Sequence, residues 1–169
     1  MNYIEIQNIY QASNIPDEQP IQHWIDAALK DHSTDTEIVI RIVDEQESAE
    51  LNEQYRHKKG PTNILSFPVE IPEGIELDLL GDLVICAPIL EKEALEQQKV
   101  LVDHWAHIII HGVLHLLGYD HIEEDEAELM ENKEISILES LSITNPYQQD
   151  NNARAMINLR VVAPPKNAG

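Results

Sequence analysis

Four stretches of the chain carry the apolar pattern of β-strands. Residues 3–7 alternate apolar and polar side chains, and residues 37–43 are rich in β-branched ones, so both are predicted strands. Two later apolar stretches, 63–69 and 80–86, are also predicted strands. Proline cannot donate a sheet hydrogen bond, so Pro68 predicts that the third strand lies at a sheet edge or ends there.

Between and after these strands, apolar residues recur at helical spacing. The predicted helices cover approximately residues 21–29, 44–55, 88–98, 100–117 and 123–141. The helix over residues 100–117 is apolar almost all round, so we expect it at the centre of the protein. Strands gather early and helices late, which favours a single α/β or α+β domain with a small mixed sheet.

Three histidines at the end of the central helix have the spacing of a metal site. His111 and His115 lie four residues apart, so on a helix their imidazoles share one face. Gly118 permits the left-handed turn that ends a helix, after which His121 can return toward the pair. Three imidazoles leave one tetrahedral position open, as in catalytic rather than structural zinc sites. The sequence therefore predicts one transition-metal ion held by His111, His115 and His121.

Gly112 argues against peptidase chemistry at this site. The histidine spacing is that of the metzincin motif H-E-x-x-H-x-x-G-x-x-H, and Gly112 replaces the glutamate that acts as general base. A metalloprotease is therefore a minor alternative. His107 lies about 12 Å from His115 along a helix axis, so one ion cannot bind both. We expect His104 to be a paired core residue, whereas for His107 a role behind the site and a structural role are equally open.

Two carboxylates are candidates for orienting a ligating imidazole through its second ring nitrogen. They are Asp82 and Asp120, and each also fits a strand-end or turn position. The residues do not identify the proton acceptor of a hydrolytic reaction, because Gly112 has no titratable group.

The run from His111 to His121 carries a family signature. It reads H-G-V-L-H-L-L-G-Y-D-H and matches each fixed position of H-G-x-L-H-L-x-G-Y-D-H. With four further stretches, it resembles the bacterial YbeY family of metal-dependent endoribonucleases over about residues 1–147. These stretches are Tyr55-Arg56, residues 61–68, residues 81–85 and residues 104–107.

The resemblance implies a zincin-like fold in which the metal-bearing helix packs against the sheet. It implies an endoribonuclease specific for single-stranded RNA that acts in 16S rRNA 3′-end maturation and ribosome quality control. It also implies the small ribosomal subunit and assembly factors as partners, with neither DNA nor a membrane expected. The matching positions make His111, His115 and His121 the metal ligands, with His111 and Arg56 in catalysis. Imidazole ligands suit Zn and also Ni, Cu and Fe; Zn is the first candidate and Ni the second. A ribosome-assembly factor with a structural metal is the alternative.

The net charge of −20 is unusual for a protein that binds RNA. The 11 lysines and arginines are unevenly placed, and Arg56, Lys58 and Lys59 form one basic cluster beside His57. From the residues alone, phosphate binding by Arg56 and a helix end stabilised by its cations fit equally well. The family resemblance favours a role for Arg56 and leaves the two lysines open.

The chain of 169 residues is long enough for one domain, predicted over residues 1–147. The tail over residues 148–169 is expected to be either disordered or docked on the domain. The single cysteine, Cys86, lies in an apolar strand and has no partner for an internal disulfide, which favours the cytoplasm. Neither a signal peptide nor a membrane-spanning segment is predicted.

Overall fold

The protein is built from a four-stranded sheet and five helices within the residues that the computed structural model describes. These residues are 1–10, 14–32, 35–69, 74, 79–119 and 123–147. The elements are β1 Asn2–Asn8, α1 Glu18–Ala28, β2 Thr36–Val43, α2 Glu45–Arg56, β3 Ile64–Pro68, β4 Leu79–Cys86, α3 Ala87–Glu96, α4 Leu101–Leu116 and α5 Glu124–Ser140. Each predicted strand and helix is present, and their ends differ from the prediction by a few residues at most.

The sheet is mixed, as predicted. Its strand order is β1-β2-β4-β3, in which β1, β2 and β4 are parallel and β3 runs antiparallel to β4. β3 is therefore an edge strand, and it ends at Pro68. An edge strand tolerates a residue that lacks a backbone donor, which confirms the interpretation of this proline.

The two faces of the sheet are covered differently. Side chains of α1, α4 and α5 form the main core on one face, and α2 covers a smaller cluster on the other. Successive side chains of a strand point to opposite faces. Accordingly Ile64 and Leu83 enter the main core, whereas Leu65 and Val84 enter the cluster under α2. Helices α2 and α4 thus lie on opposite sides of β3 and β4.

Helix α4 is the central element of the main core. Every residue from His104 to Leu116 is buried. The helix ends in a turn at Gly118, whose φ of +105° lies in the left-handed region that favours glycine. The Tyr119 amide donates to the Leu114 carbonyl at 3.0 Å, which closes this turn. The predicted central position of the helix and its glycine turn are both confirmed.

Helix α4 approaches the sheet most closely at Gly112. A Cβ atom at this position would lie 2.6 Å from Cδ1 of Ile64 and 2.9 Å from Cδ2 of Leu83. The Ser66 hydroxyl also donates to the Gly112 carbonyl at 3.4 Å. Glycine inside a helix costs about 1 kcal/mol relative to alanine. The close contact with β3 and β4 explains why this cost is accepted here.

Cys86 is a buried residue at the end of β4, as the sequence predicts. Burial raises the pKa of its thiol to about 11. The thiol is therefore protonated at neutral pH and acts as a small core side chain.

Several parts of the chain for which the sequence makes predictions fall outside the described ranges. The tail over residues 148–169 is one of them, and the domain boundary at residue 147 stays a prediction. Between the predicted strands over residues 63–69 and 80–86, only Gly74 of residues 70–78 is described. None of the helices described is both long and apolar enough to cross a membrane.

We predict that Gly112→Ala lowers the free energy of unfolding, although alanine favours a helix by about 1 kcal/mol. The added methyl group overpacks the contact between α4 and the sheet, a change that typically costs about 1–3 kcal/mol. Ile64→Val removes the methyl group nearest to the new Cβ. The loss should therefore be smaller in the Ile64→Val background.

Urea unfolding of the parent, both single variants and the double variant measures this coupling. A Gly112→Ala protein as stable as the parent would contradict this explanation of the glycine. An equal loss in both backgrounds would show that Ile64 is not the group that is crowded.

Candidate metal centre

Two imidazoles of α4 converge on one point. Nε2 of His115 lies 3.0 Å from Nε2 of His111, and the ring planes meet at 68°. One helical turn separates the residues, which places them on the same face of α4. Both are buried, with exposed fractions of 3% for His111 and 7% for His115. The structure therefore brings together the two residues that the sequence spacing pairs.

This pair of nitrogens fits a transition-metal ion. Their separation of 3.0 Å lies well within the sum of two metal–nitrogen bonds of about 2.0–2.1 Å each. Imidazole is a ligand that suits Zn and Ni. His121 and Asp120 lie outside the described residues, and within those residues no group of three or more His, Cys, Asp or Glu could hold one ion. The role of His121 as third ligand stays a prediction.

A carboxylate of α5 binds the opposite edge of the His111 ring. Glu134 is fully buried, and its Oε1 is hydrogen-bonded to Nδ1 of His111. Its Oε2 accepts from the Tyr147 hydroxyl at 2.5 Å and from Nε2 of His107 at 3.3 Å. An ionised carboxylate can only accept hydrogen bonds. Nδ1 of His111 and Nε2 of His107 must therefore carry the protons of these contacts.

Electrostatic interactions keep Glu134 ionised. Burial by itself raises the pKa of this carboxyl, but His111 and His107 outweigh burial and hold the pKa well below its usual range. For His107 the opposite holds: burial lowers its pKa, and the interactions with Glu134 that raise it are weaker. The cluster behind the metal centre thus combines a charged Glu134 with a neutral His107.

His107 and His104 lie about one and two turns, respectively, before His111 on the same helix. Nε2 of His104 pairs with Glu93 of α3 at 2.9 Å, which fits the expected paired core residue. Both histidines line a cavity of about 170 Å³ together with Lys99. His107 lines this cavity and also contacts Glu134, the carboxylate that binds His111, so it lies next to the candidate centre.

Arg56 is the last residue of α2 and lies beside the edge strand. The preceding Tyr55 packs its ring edge-on against Phe67 of β3, with centroids 5.1 Å apart. Arg56 is half-buried, and the helix is capped by His57 in a left-handed conformation. Lys58 and Lys59 follow in an exposed loop. The basic cluster therefore forms a helix end, as the interpretation of a helix end stabilised by its cations requires. Phosphate binding by Arg56 stays a prediction.

Asp82, one of the two candidates for orienting a ligating imidazole, points away from the histidine pair of α4. Asp82 is exposed on β4, where the neighbouring Leu83 points into the main core. Alternation along the strand directs Asp82 to the face away from α4. Burial and the nearby Glu5 raise its pKa.

Glu134, which the sequence analysis missed, makes the contact expected of Asp82. A signal for it exists in the apolar pattern of α5. The buried residues of that helix are Met130, Glu134, Ile137 and Leu138, which follow helical core spacing. A glutamate at such a position is rarely fully buried unless it has partners, so its place in the stripe marks it as a functional candidate.

The geometry defines a class: α/β proteins with a mixed sheet and a histidine pair on a central helix. The profile of the family described as endoribonuclease YbeY matches residues 5–142. The endoribonuclease YbeY of Methylococcus capsulatus is 59% identical over 138 residues, which cover 81% of this chain and 90% of that protein. That of Colwellia psychrerythraea is 51% identical over 148 residues, or 85% of this chain and 96% of that protein.

A solved structure has the same fold. The solution structure of TM1509 from Thermotoga maritima superposes with a TM-score of 0.56 at 24% identity. The match covers 89% of this chain and 97% of that one, and it confirms the mixed α/β architecture.

The chain therefore belongs to the endoribonuclease YbeY family. This membership confirms the resemblance seen in the run from His111 to His121. It also confirms the expectation that the chain is an enzyme, an RNA-cleaving hydrolase.

We predict that the metal-free protein loses stability as the pH falls below about 6.5, the ordinary pKa of histidine. Burial holds the pKa of His107 below that value, so the folded protein stays neutral there while the unfolded chain takes up a proton. Stability decreases as the pH decreases wherever the unfolded state binds more protons than the folded state. The contribution of this group is at most about 1.4 kcal/mol per pH unit.

Chemical unfolding of chelator-treated protein between about pH 7.5 and 5.5 measures this slope, in a range above the ordinary carboxyl pKa values. His107→Gln should flatten the pH dependence, and replacement of the exposed His23 by glutamine should leave it unchanged. An identical slope in His107→Gln and the parent would rule out His107 as its source.

Proposed function

We propose that this enzyme is a metal-dependent endoribonuclease that cleaves single-stranded RNA, acting in 16S rRNA 3′-end maturation and ribosome quality control. The observation that carries the metal dependence is the convergence of His111 Nε2 and His115 Nε2, 3.0 Å apart on a buried helix. The family to which the chain belongs supports RNA as the substrate. The small ribosomal subunit and its assembly factors are the proposed partners, and the cytoplasm is the proposed compartment.

The proposed ligands are His111, His115 and His121, with Zn as the first candidate ion and Ni as the second. When bound, the ion supplies Lewis-acid stabilisation of the negative charge on a phosphate oxygen. The imidazoles are held on α4, and Gly112 lets that helix lie directly against β3 and β4. A buried helix fixed in this way holds its ligands with little freedom to move, as precise positioning of a reacting group requires.

Arg56 is the proposed phosphate-binding residue. Its guanidinium is always charged, and its planar fork matches two phosphate oxygens. It lies at the end of α2 beside β3, and α4 contacts the same strand through Gly112 and Ser66. Because α2 and α4 lie on opposite sides of β3, an RNA that contacts both groups must pass around this edge strand.

The acidity of the chain fits a narrow contact with RNA. A net charge of −20 repels a polyanion over most of the surface, while Arg56, Lys58 and Lys59 form a local basic cluster. Binding is then confined to the basic loop and the metal centre, and non-specific binding elsewhere is suppressed.

The substrate test compares single-stranded RNA, duplex RNA and casein as substrates of the zinc-loaded protein. We expect cleavage of single-stranded RNA alone, loss of cleavage on chelation, and recovery when zinc is returned. His111→Ala should remove both activity and bound metal, because it deletes a ligand. Equal cleavage of duplex RNA would contradict the strand specificity, and full activity in verified metal-free protein would contradict the metal dependence.

Arg56 is tested by charge reversal. Loss of a group that stabilises developing charge typically lowers turnover by about 10²–10³-fold, and we expect at least that from Arg56→Glu with metal content unchanged. Arg56→Lys should retain part of the activity, because a point charge cannot reproduce the fork. The matched control is Lys92→Glu, an exposed cation of α3 outside the basic cluster. Similar turnover in Arg56→Glu and Lys92→Glu would show that Arg56 is merely the end of a helix.

A further inference from the structure

Glu134 contacts His107 and Tyr147 as well as the proposed metal ligand His111. We propose that Glu134 is a positioning residue that fixes His111 in the tautomer with its proton on Nδ1, so that an unprotonated Nε2 faces the metal, and that Tyr147 and His107 hold Glu134 in place. The inference rests on the metal centre of the proposed function, but it does not depend on RNA being the substrate.

The tautomer follows from the hydrogen-bond roles. A neutral imidazole carries one proton, on either of its two nitrogens, and binds a metal through the other. Oε1 of Glu134 is hydrogen-bonded to Nδ1 of His111 and can only accept, so the proton belongs on Nδ1. Nε2 then presents a lone pair, and this is the atom that lies 3.0 Å from Nε2 of His115.

Glu134 is itself held by a second set of contacts. A buried carboxylate is stable only when it is well paired, and here the Tyr147 hydroxyl donates to Oε2 at 2.5 Å. His107 donates to the same oxygen at 3.3 Å. The ring of Tyr147 packs edge-on against the imidazole of His107, with centroids 5.5 Å apart. Tyr147 lies 13 residues after Glu134, beyond the end of α5. The segment after α5 therefore closes the cluster and fixes the carboxylate opposite His111.

Glutamine cannot satisfy the same three donors. With its oxygen toward His111, its amide group faces His107 Nε2–H, which is also a donor, and the Tyr147 hydroxyl must turn from donor to acceptor. With the amide group turned toward His111, Nδ1 must accept, and the proton moves to Nε2, the atom that the metal requires. Either orientation weakens metal binding while the volume of the side chain stays the same.

The experiment has two readouts, both independent of RNA cleavage. One is the His111 tautomer in chelator-treated protein, read from ¹⁵N chemical shifts of the ring nitrogens. The other is the affinity for Co²⁺, read from its ligand-field absorption in competition with a chelator. Glu134→Gln is compared with Glu139→Gln, the same substitution at an exposed position of α5. Tyr147→Phe is the second variant, because it keeps Glu134 and removes one of its donors.

We expect the parent and Glu139→Gln to show the Nδ1–H tautomer of His111 and equal Co²⁺ affinity. In Glu134→Gln the tautomer preference should be weakened and the affinity lowered by about 10- to 100-fold, the usual effect of removing a group that orients a metal ligand. Tyr147→Phe should change both in the same direction by less. If Glu134→Gln fails to fold, Tyr147→Phe decides the question.

Glu134→Gln with the tautomer and affinity of Glu139→Gln would overturn the inference, as would a parent in which His111 has its proton on Nε2. Should Glu134→Gln fail to fold, a Tyr147→Phe protein identical to the parent in both readouts would overturn it. A parent that shows both expected readouts but does not cleave RNA would instead contradict the proposed function and leave this inference supported.

Discussion

Helix α4 carries four histidines into the interior of the protein, none of them more than 7% exposed. Buried polar groups require hydrogen-bond partners, and a helix surrounded by core leaves water little access. The neighbouring helices supply acidic partners: α3 provides Glu93 for His104, and α5 provides Glu134 for His107 and His111. The packing of α3 and α5 around α4 therefore places a carboxylate against three of these imidazoles as well as burying the apolar side chains of α4.

Strand β3 lies between the two proposed parts of the site, which are the histidine pair on α4 and the basic cluster at the end of α2. On one face of β3, Gly112 lets α4, the helix that carries the histidine pair, pack closely against the sheet. On the other face, Tyr55 contacts Phe67 and holds the end of α2, with its basic cluster, beside the same edge. An acidic protein can bind RNA if its positive charge is concentrated at one place. Here the helix end with the basic cluster and the helix with the proposed metal ligands both contact β3, the edge strand.

Much of the fold follows from local sequence. The alternation in β1 and the apolar spacing in α1 and α4 predict their elements, and α2 has a local N-cap in Asp44, which accepts from the Glu47 amide at 2.9 Å. The histidine pair is likewise a local feature, because one helical turn brings four-residue neighbours together. The glycine turn at Gly118 follows from the left-handed conformation that glycine allows.

The partners of those histidines could not be predicted in the same way. Glu134 lies 23 residues from His111 along the chain, and their contact depends on how α5 packs against α4. Asp82 and Asp120 were the candidates chosen from the sequence, and strand alternation turns Asp82 away from the histidine pair. The reason for Gly112 was also beyond local pattern, since it lies in the side chains of Ile64 and Leu83 on two different strands.

The metal centre, with Glu134 orienting His111, is tested most directly by a crystal structure of the zinc-loaded protein with anomalous diffraction data recorded at the zinc edge. We expect one anomalous peak per chain, within bonding distance, about 2.0–2.1 Å, of Nε2 of His111, Nε2 of His115 and a nitrogen of His121. Glu134 should remain on Nδ1 of His111. A peak on other residues, or zinc bound through Nδ1 of His111 with Glu134 displaced, would contradict the account.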